Sequence, residues 1–167
     1  HRVATRRLDL DYPFHCGLAE PVREPLLADL ATTAPATARV PFVSTVTGEA
    51  ADGAELDAAY WWRNVRQPVR FHAAAERLIA AGHGLFLEIG PRPVLANYLT
   101  DTARAAGEEV AALARLVDDR GREGPARTTV DVACEVLAHG GAVEEERLLG
   151  EAPATPADLP TYPWRHA

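Results

Sequence analysis

Leu85-Phe86-Leu87-Glu88-Ile89 runs directly into Gly90-Pro91-Arg92-Pro93 and then Val94-Leu95-Ala96-Asn97-Tyr98-Leu99. A short apolar run closed by Gly and Pro reads as a buried strand. Pro93 suits the first position of a helix, where a missing N–H costs nothing. Val94, Leu95, Tyr98, Leu99 and Ala103 then form an apolar stripe at helical spacing. Strand, tight turn and amphipathic helix make one α/β unit, and the residues around it extend the pattern. Val40-Pro41-Phe42-Val43-Ser44-Thr45-Val46 is apolar and β-branched, which predicts a second buried strand. Arg6-Arg7-Leu8-Asp9-Leu10-Asp11 alternates polar and apolar residues, which predicts a strand with one covered face. Residues 110–116 read as a last strand or an edge segment. Helices are expected over 18–30, 54–65 and 70–81, the last stopped by Gly82. In the first of these, Pro21 and Pro25 sit in the opening turns or kink the helix.

Strands alternating with helices indicate an α/β layer structure with a mainly parallel sheet. Three or four strands fall short of the five or six usual for such a sheet. A chain that opens in mid-strand and is short of strands reads as a piece of something larger. After residue 115 the character changes. Asp118-Asp119-Arg120-Gly121-Arg122-Glu123-Gly124-Pro125 is a polar linker, and one amphipathic helix follows with Val130, Ala133, Cys134 and Leu137 on a face. Glu144-Glu145-Glu146-Arg147 leads into Pro/Ala-rich coil from Glu151, which ends in Leu159-Pro160-Thr161-Tyr162-Pro163-Trp164.

The 167 residues are 47% hydrophobic and 25% charged, as in ordinary globular domains. A net charge of −7 argues against nucleic acid as a partner, because that affinity needs Lys and Arg to neutralise phosphates. No apolar run approaches the roughly 20 residues of a membrane-spanning helix, so no membrane partner is expected. Two cysteines and no signal pattern predict a reducing, cytoplasmic setting. The sequence has no Met and no Lys, and Ser44 is its only serine. A serine nucleophile supplied by these residues alone would have to be Ser44.

His15 stands out as a candidate base. It follows a strand, in a turn bracketed by Pro13 and Gly17, and imidazole is the usual general base near neutral pH. The plain alternative is an ordinary loop histidine. No metal is expected, since His15-Cys16, His72 and His83 lack ligand spacing. Glu88-Ile89-Gly90-Pro91 fits a tight strand-to-helix turn better than a phosphate loop. Of Tyr60-Trp61-Trp62, one or two rings should pack in the core. Tyr162 and Trp164 are large rings in a tail with no core of its own, so they are expected to dock on a surface.

Four ordered segments carry a resemblance. They are Leu8-Asp9-Leu10-Asp11-Tyr12-Pro13-Phe14-His15-Cys16; Val40-Pro41-Phe42-Val43-Ser44-Thr45-Val46-Thr47-Gly48; Tyr60-Trp61-Trp62-Arg63-Asn64-Val65-Arg66-Gln67-Pro68-Val69-Arg70-Phe71; and Phe86-Leu87-Glu88-Ile89-Gly90-Pro91-Arg92-Pro93-Val94-Leu95. Together they resemble the C-terminal part of the acyltransferase domain of a modular type I polyketide synthase, a family that includes malonyl-CoA:acyl-carrier-protein transacylases. The tail resembles the linker that follows such domains.

The resemblance implies an α/β-hydrolase-like acyltransferase fold. Residues 1–11 would end an inserted ferredoxin-like subdomain, 12–106 would belong to the large subdomain, and 107–167 would be a coil-and-helix linker. It implies a ping-pong transfer in which a serine in a Gly-His-Ser-x-Gly elbow attacks an acyl-CoA thioester. The acyl group then passes to the phosphopantetheine thiol of an acyl carrier protein, with no bound cofactor. His15 matches the family's catalytic histidine. A backbone carbonyl from the Asn-containing loop, at Asn64 or its neighbours, would hold the other ring nitrogen. Tyr12-Pro13-Phe14-His15 matches the motif that correlates with the extender unit, and bulky Phe14 favours malonyl over methylmalonyl. The elbow is missing from these residues, so the nucleophile would come from an N-terminal part and this chain alone would be inactive. Tyr162 and Trp164 would dock on an adjacent ketosynthase or on the acyltransferase body. The alternative is a non-catalytic scaffold remnant joining synthase domains.

Overall fold

The computed structural model describes residues 13–90, 94–114 and 128–150. The expected strand at Arg6–Asp11, the linker at 118–125, and Tyr12, Tyr162 and Trp164 lie outside them. The chain divides into two compact units, His1–Phe86 with Leu95–Ala112 and Leu87–Val94 with Leu113–Ala167.

The first unit opens with a 3-10 helix, Gly17–Val22, that passes into α1, Arg23–Asp29. The single helix expected over 18–30 is thus split at Val22. Pro21 lies inside the 3-10 turn, and Pro25 falls in the first turn of α1, where no N–H partner is needed. Strands β1, Phe42–Val43, and β2, Ala50–Ala51, follow and pair antiparallel, Phe42 opposite Ala51 and Val43 opposite Ala50. This corrects the buried strand expected over 40–46. Pro41 has no N–H for a ladder, and past Val43 the chain bends back at once. Ser44 N–H donates to Glu49 O at 2.8 Å, and Gly48 N–H donates to Ser44 O at 2.7 Å. Val40 is accordingly exposed.

Next comes a 3-10 turn, Gly53–Glu55, closed by a reciprocal capping box between Asp52 and Glu55. Helix α2, Ala58–Arg66, is capped by Asp57, whose carboxylate accepts the Tyr60 N–H at 2.7 Å. The expected helix over 54–65 is therefore interrupted before Asp57. Helix α3, Phe71–Ala80, buries Ala74, Ala75 and Ile79, and Gly82 ends it at φ +87°. Helix α4, Ala96–Ala105, packs on α3 through Leu99, Thr102 and Ala103. Only Leu99 and Ala103 of its predicted stripe are buried; Val94 and Tyr98 are exposed.

Strands β3, Leu85–Glu88, and β4, Ala111–Ala114, form a second two-stranded sheet. Ala111 N–H donates to Gly84 O at 2.8 Å, which joins the starts of both strands in the register of a parallel pair. The mainly parallel sheet is thus reduced, among the described residues, to this pair beside an antiparallel hairpin.

In the second unit, α5, Thr129–Ala138, begins at a Thr128–Asp131 capping box, and α6 spans Glu145–Leu149. Val132 is the buried residue of α5, whereas Val130, Cys134 and Leu137 are exposed. The inward face is therefore turned from the one expected, and of that stripe only Ala133 lies beside Val132.

The hairpin turn lies close against α3 at Gly48. Gly48 has φ +79°, and a Cβ there would sit 2.8 Å from Ala73 Cβ. Gly48→Ala combines about 1–2 kcal/mol of left-handed strain with this overlap. Urea denaturation of the complete acyltransferase domain should show a lower midpoint with an unchanged m value.

Candidate functional site

His15 occupies a sharp turn between Pro13 and the first 3-10 helix. Its φ is +59°, the only left-handed non-glycine residue among those described. Histidine tolerates this region better than most residues but still pays strain there, and such strain collects at functional sites. Three ties hold the turn against the C-terminal end of α2. The His15 backbone N–H donates to Val65 O at 2.8 Å. The His15 ring nitrogen Nδ1 lies 2.8 Å from Gln67 O. Farther along, Arg66 Nε donates to Glu20 Oε1 at 2.7 Å.

Sequence dictates why those carbonyls are available. The last four carbonyls of a helix have no partner within it. Pro68 follows Gln67, and the residue before proline is pushed out of the helical region. Gln67 is at φ −89°, ψ 158°, so its carbonyl swings off the helix axis and meets the imidazole. A carbonyl only accepts, so Nδ1 carries the proton and donates it. Nε2 is left with its lone pair, ready to take a proton from a reacting group. A carbonyl in this place favours positive charge on the ring as well as fixing its tautomer.

The acceptor on Nδ1 is thus the Gln67 carbonyl, not that of Asn64. Asn64 is half-buried within α2, three residues before the carbonyl that meets the ring. Sequence reasoning named the right loop and missed Gln67, although Gln-Pro at a helix end was the signal for a freed carbonyl. Phe14 is half-exposed beside His15, the two ring centroids 6.1 Å apart and the planes tilted by 48°. Pro13 is exposed, and its carbonyl lies 3.5 Å from Cys16 Sγ.

Ser44 takes no part in this arrangement. It is 0% exposed, its Oγ lies 2.8 Å from the hydroxyl of buried Tyr60, and it accepts the Val46 N–H at 3.0 Å. An oxygen so enclosed cannot reach a soluble thioester. Tyr60 is the core ring of the aromatic cluster. Trp61 meets it edge-on at 5.4 Å and is partly exposed, and Trp62 is half-buried. Glu88 Oε1 accepts the Val94 N–H at 2.9 Å. His72 bridges Thr102 and Glu76, and among the described residues no three potential metal ligands cluster. No described helix is long and apolar enough to cross a membrane.

The profile of the acyl transferase domain family matches residues 1–137. Polyketide synthase GfsB of Streptomyces halstedii is 44% identical over 161 residues, 96% of this chain and 3% of that synthase. The acyltransferase domain from module 8 of the salinomycin polyketide synthase superimposes with a TM-score of 0.73 at 41% identity, covering 83% of this chain and 32% of that one. A loading acyltransferase from the avermectin modular polyketide synthase gives 0.65 at 34%, covering 78% and 38%. The chain belongs to the acyl transferase domain family, in the branch found in modular type I polyketide synthases. It spans about a third of the solved acyltransferase chains and a few per cent of the curated synthases it matches.

Because the acceptor is a backbone carbonyl, Gln67→Ala should leave the Nδ1–H tautomer of His15 in place. Long-range proton–nitrogen NMR on the complete domain reads the tautomer directly. A ring protonated on Nε2 in the unmodified protein would contradict the geometry.

Proposed function

We propose that this chain is the C-terminal part of an acyltransferase that loads an extender unit from acyl-CoA onto an acyl carrier protein, with His15 as the general base. The observation that carries the reading is the Nδ1–H bond from His15 to the Gln67 carbonyl, which leaves Nε2 free to accept a proton. The nucleophilic serine lies on the N-terminal part of the domain, since the only serine here is buried against Tyr60. In the first half-reaction His15 takes the serine proton as the oxygen attacks the thioester carbonyl, and backbone N–H groups hold the oxyanion. As the intermediate collapses, the proton passes to the departing CoA thiolate. In the second half-reaction His15 takes the proton of the phosphopantetheine thiol as its sulfur attacks the acyl-serine ester, and gives that proton to the serine oxygen as the ester bond breaks. No cofactor is required.

Around these elements the reading places an α/β-hydrolase-like domain, with residues 1–11 ending a ferredoxin-like subdomain and 107–167 forming the linker. Tyr162 and Trp164 anchor that linker on a neighbouring ketosynthase or on the acyltransferase body. Tyr12, Pro13 and Phe14 line the entry to the acyl pocket, and the bulk of Phe14 selects malonyl.

His15→Ala in the complete domain should slow transfer from malonyl-CoA to carrier protein by about 10²–10⁴, the usual worth of general-base catalysis. An unchanged rate would remove His15 from the role of base, whereas no transfer by the unmodified domain would favour the scaffold reading. Phe14→Ser should raise the methylmalonyl-to-malonyl ratio of kcat/KM by about tenfold or more, as one methyl group in a pocket allows. Competition between the two CoA esters measures it.

A further inference from the structure

We propose that Arg66, clamped to Glu20, is a positioning residue for His15. This rests on His15 being the base. Arg66 lies between Val65 and Gln67, the two residues whose carbonyls hold the histidine. Its backbone therefore moves with both acceptors. Its side chain turns back over the segment that carries the histidine. The Nη2 atom lies 3.8 Å from where a Cβ on Gly17 would be, and Nε donates to Glu20 Oε1 at 2.7 Å.

Glu20 stands on the 3-10 helix that begins two residues after His15. The clamp thus closes a short loop: His15 to Glu20 along the chain, Glu20 to Arg66 through the ion pair, and Arg66 to His15 through its neighbours' carbonyls. Beside the two hydrogen bonds of the histidine itself and the packing of the 3-10 helix and α1 against α2, the clamp adds a directed tie that resists rotation of the turn, which would lengthen both hydrogen bonds.

The pair is not suited to a stability role. Arg66 and Glu20 side chains are 34% and 56% exposed, and ion pairs at such exposure contribute little to folding. Arginine is favoured here over lysine because its guanidinium can extend along the Gly17 backbone while Nε makes a directed bond.

The experiment compares Arg66→Ala and Glu20→Ala with His15→Ala in the complete acyltransferase domain, using malonyl-CoA and a carrier protein. Both clamp variants should lower kcat by about tenfold or more, the scale set by small misplacements of a reacting group, with KM within about twofold. NMR should show His15 losing its uniform Nδ1–H tautomer, while the melting temperature stays close to that of the parent. Having both variants guards against one that fails to fold. An unchanged kcat in both, or a lower kcat with the tautomer intact, would overturn the role of the clamp. If His15→Ala itself retains full activity, the parent reading fails instead, whatever the clamp variants do.

Discussion

Pro68 constrains Gln67, and the consequences spread through the site. A helix end always frees carbonyls, but it does not usually aim them. The proline holds Gln67 extended, at ψ 158°, and this turns one carbonyl out of line with the others. Val65 still points its carbonyl along the end of α2. The two acceptors therefore differ in direction, one meeting the backbone N–H of His15 and the other its ring. A histidine held at only one of these points could rotate about χ1 or shift with its loop. Held at both, it has one ring orientation and one tautomer.

This posture needs the angle between α2 and α3 to be fixed, because Gln67 and Pro68 lie in the connection between them. Both helices are tied to the same small turn. Tyr60 of α2 meets Ser44 Oγ in the core, and Arg70 N–H, at the entry to α3, donates to Thr45 O at 2.7 Å. Gly48 lets the turn lie against Ala73, and Arg77 of α3 pairs with Glu49 at its exit. The lone serine thus serves the site structurally. It holds the first turn of α2, at the opposite end of that helix from the carbonyls.

The sequence made some of this legible and hid the rest for identifiable reasons. Helix positions from α2 to α4 followed from apolar spacing and from stops such as Gly82, because those signals act within one or two turns. Residues 40–46 read as one buried strand, whereas only Phe42–Val43 is a strand, paired antiparallel with Ala50–Ala51. Composition reports burial and β-branching, whereas pairing direction depends on the turn that follows, here Ser44 to Gly48. Val130, Val132, Ala133, Cys134, Val136 and Leu137 give α5 two apolar stripes, and spacing alone does not fix which one is buried. At the site, His15 was visible from its bracket of Pro13 and Gly17 and from the resemblance. The resemblance places its acceptor at a backbone carbonyl of Asn64 or its neighbours, and the residue that supplies it is Gln67. A main-chain carbonyl has no letter of its own, and only the proline after Gln67 betrays it.

In the proposed reading, selectivity and base catalysis share one turn, since Phe14 and His15 are adjacent and their rings 6.1 Å apart. Adjacent roles usually conflict: enlarging or shrinking the selecting side chain disturbs the reactive one. Here the conflict is reduced by where the ties are made. Both hydrogen bonds to His15 end on carbonyls of α2, and the third tie runs between Glu20 and Arg66, so none uses the side chain of residue 14. A new side chain at that position changes the volume offered to the acyl group and one flank of the imidazole. The direction of Nε2 is left to Val65, Gln67 and Arg66. An arrangement of this kind lets extender choice vary by substitution in the turn while the proton-transfer geometry is kept by the end of a helix.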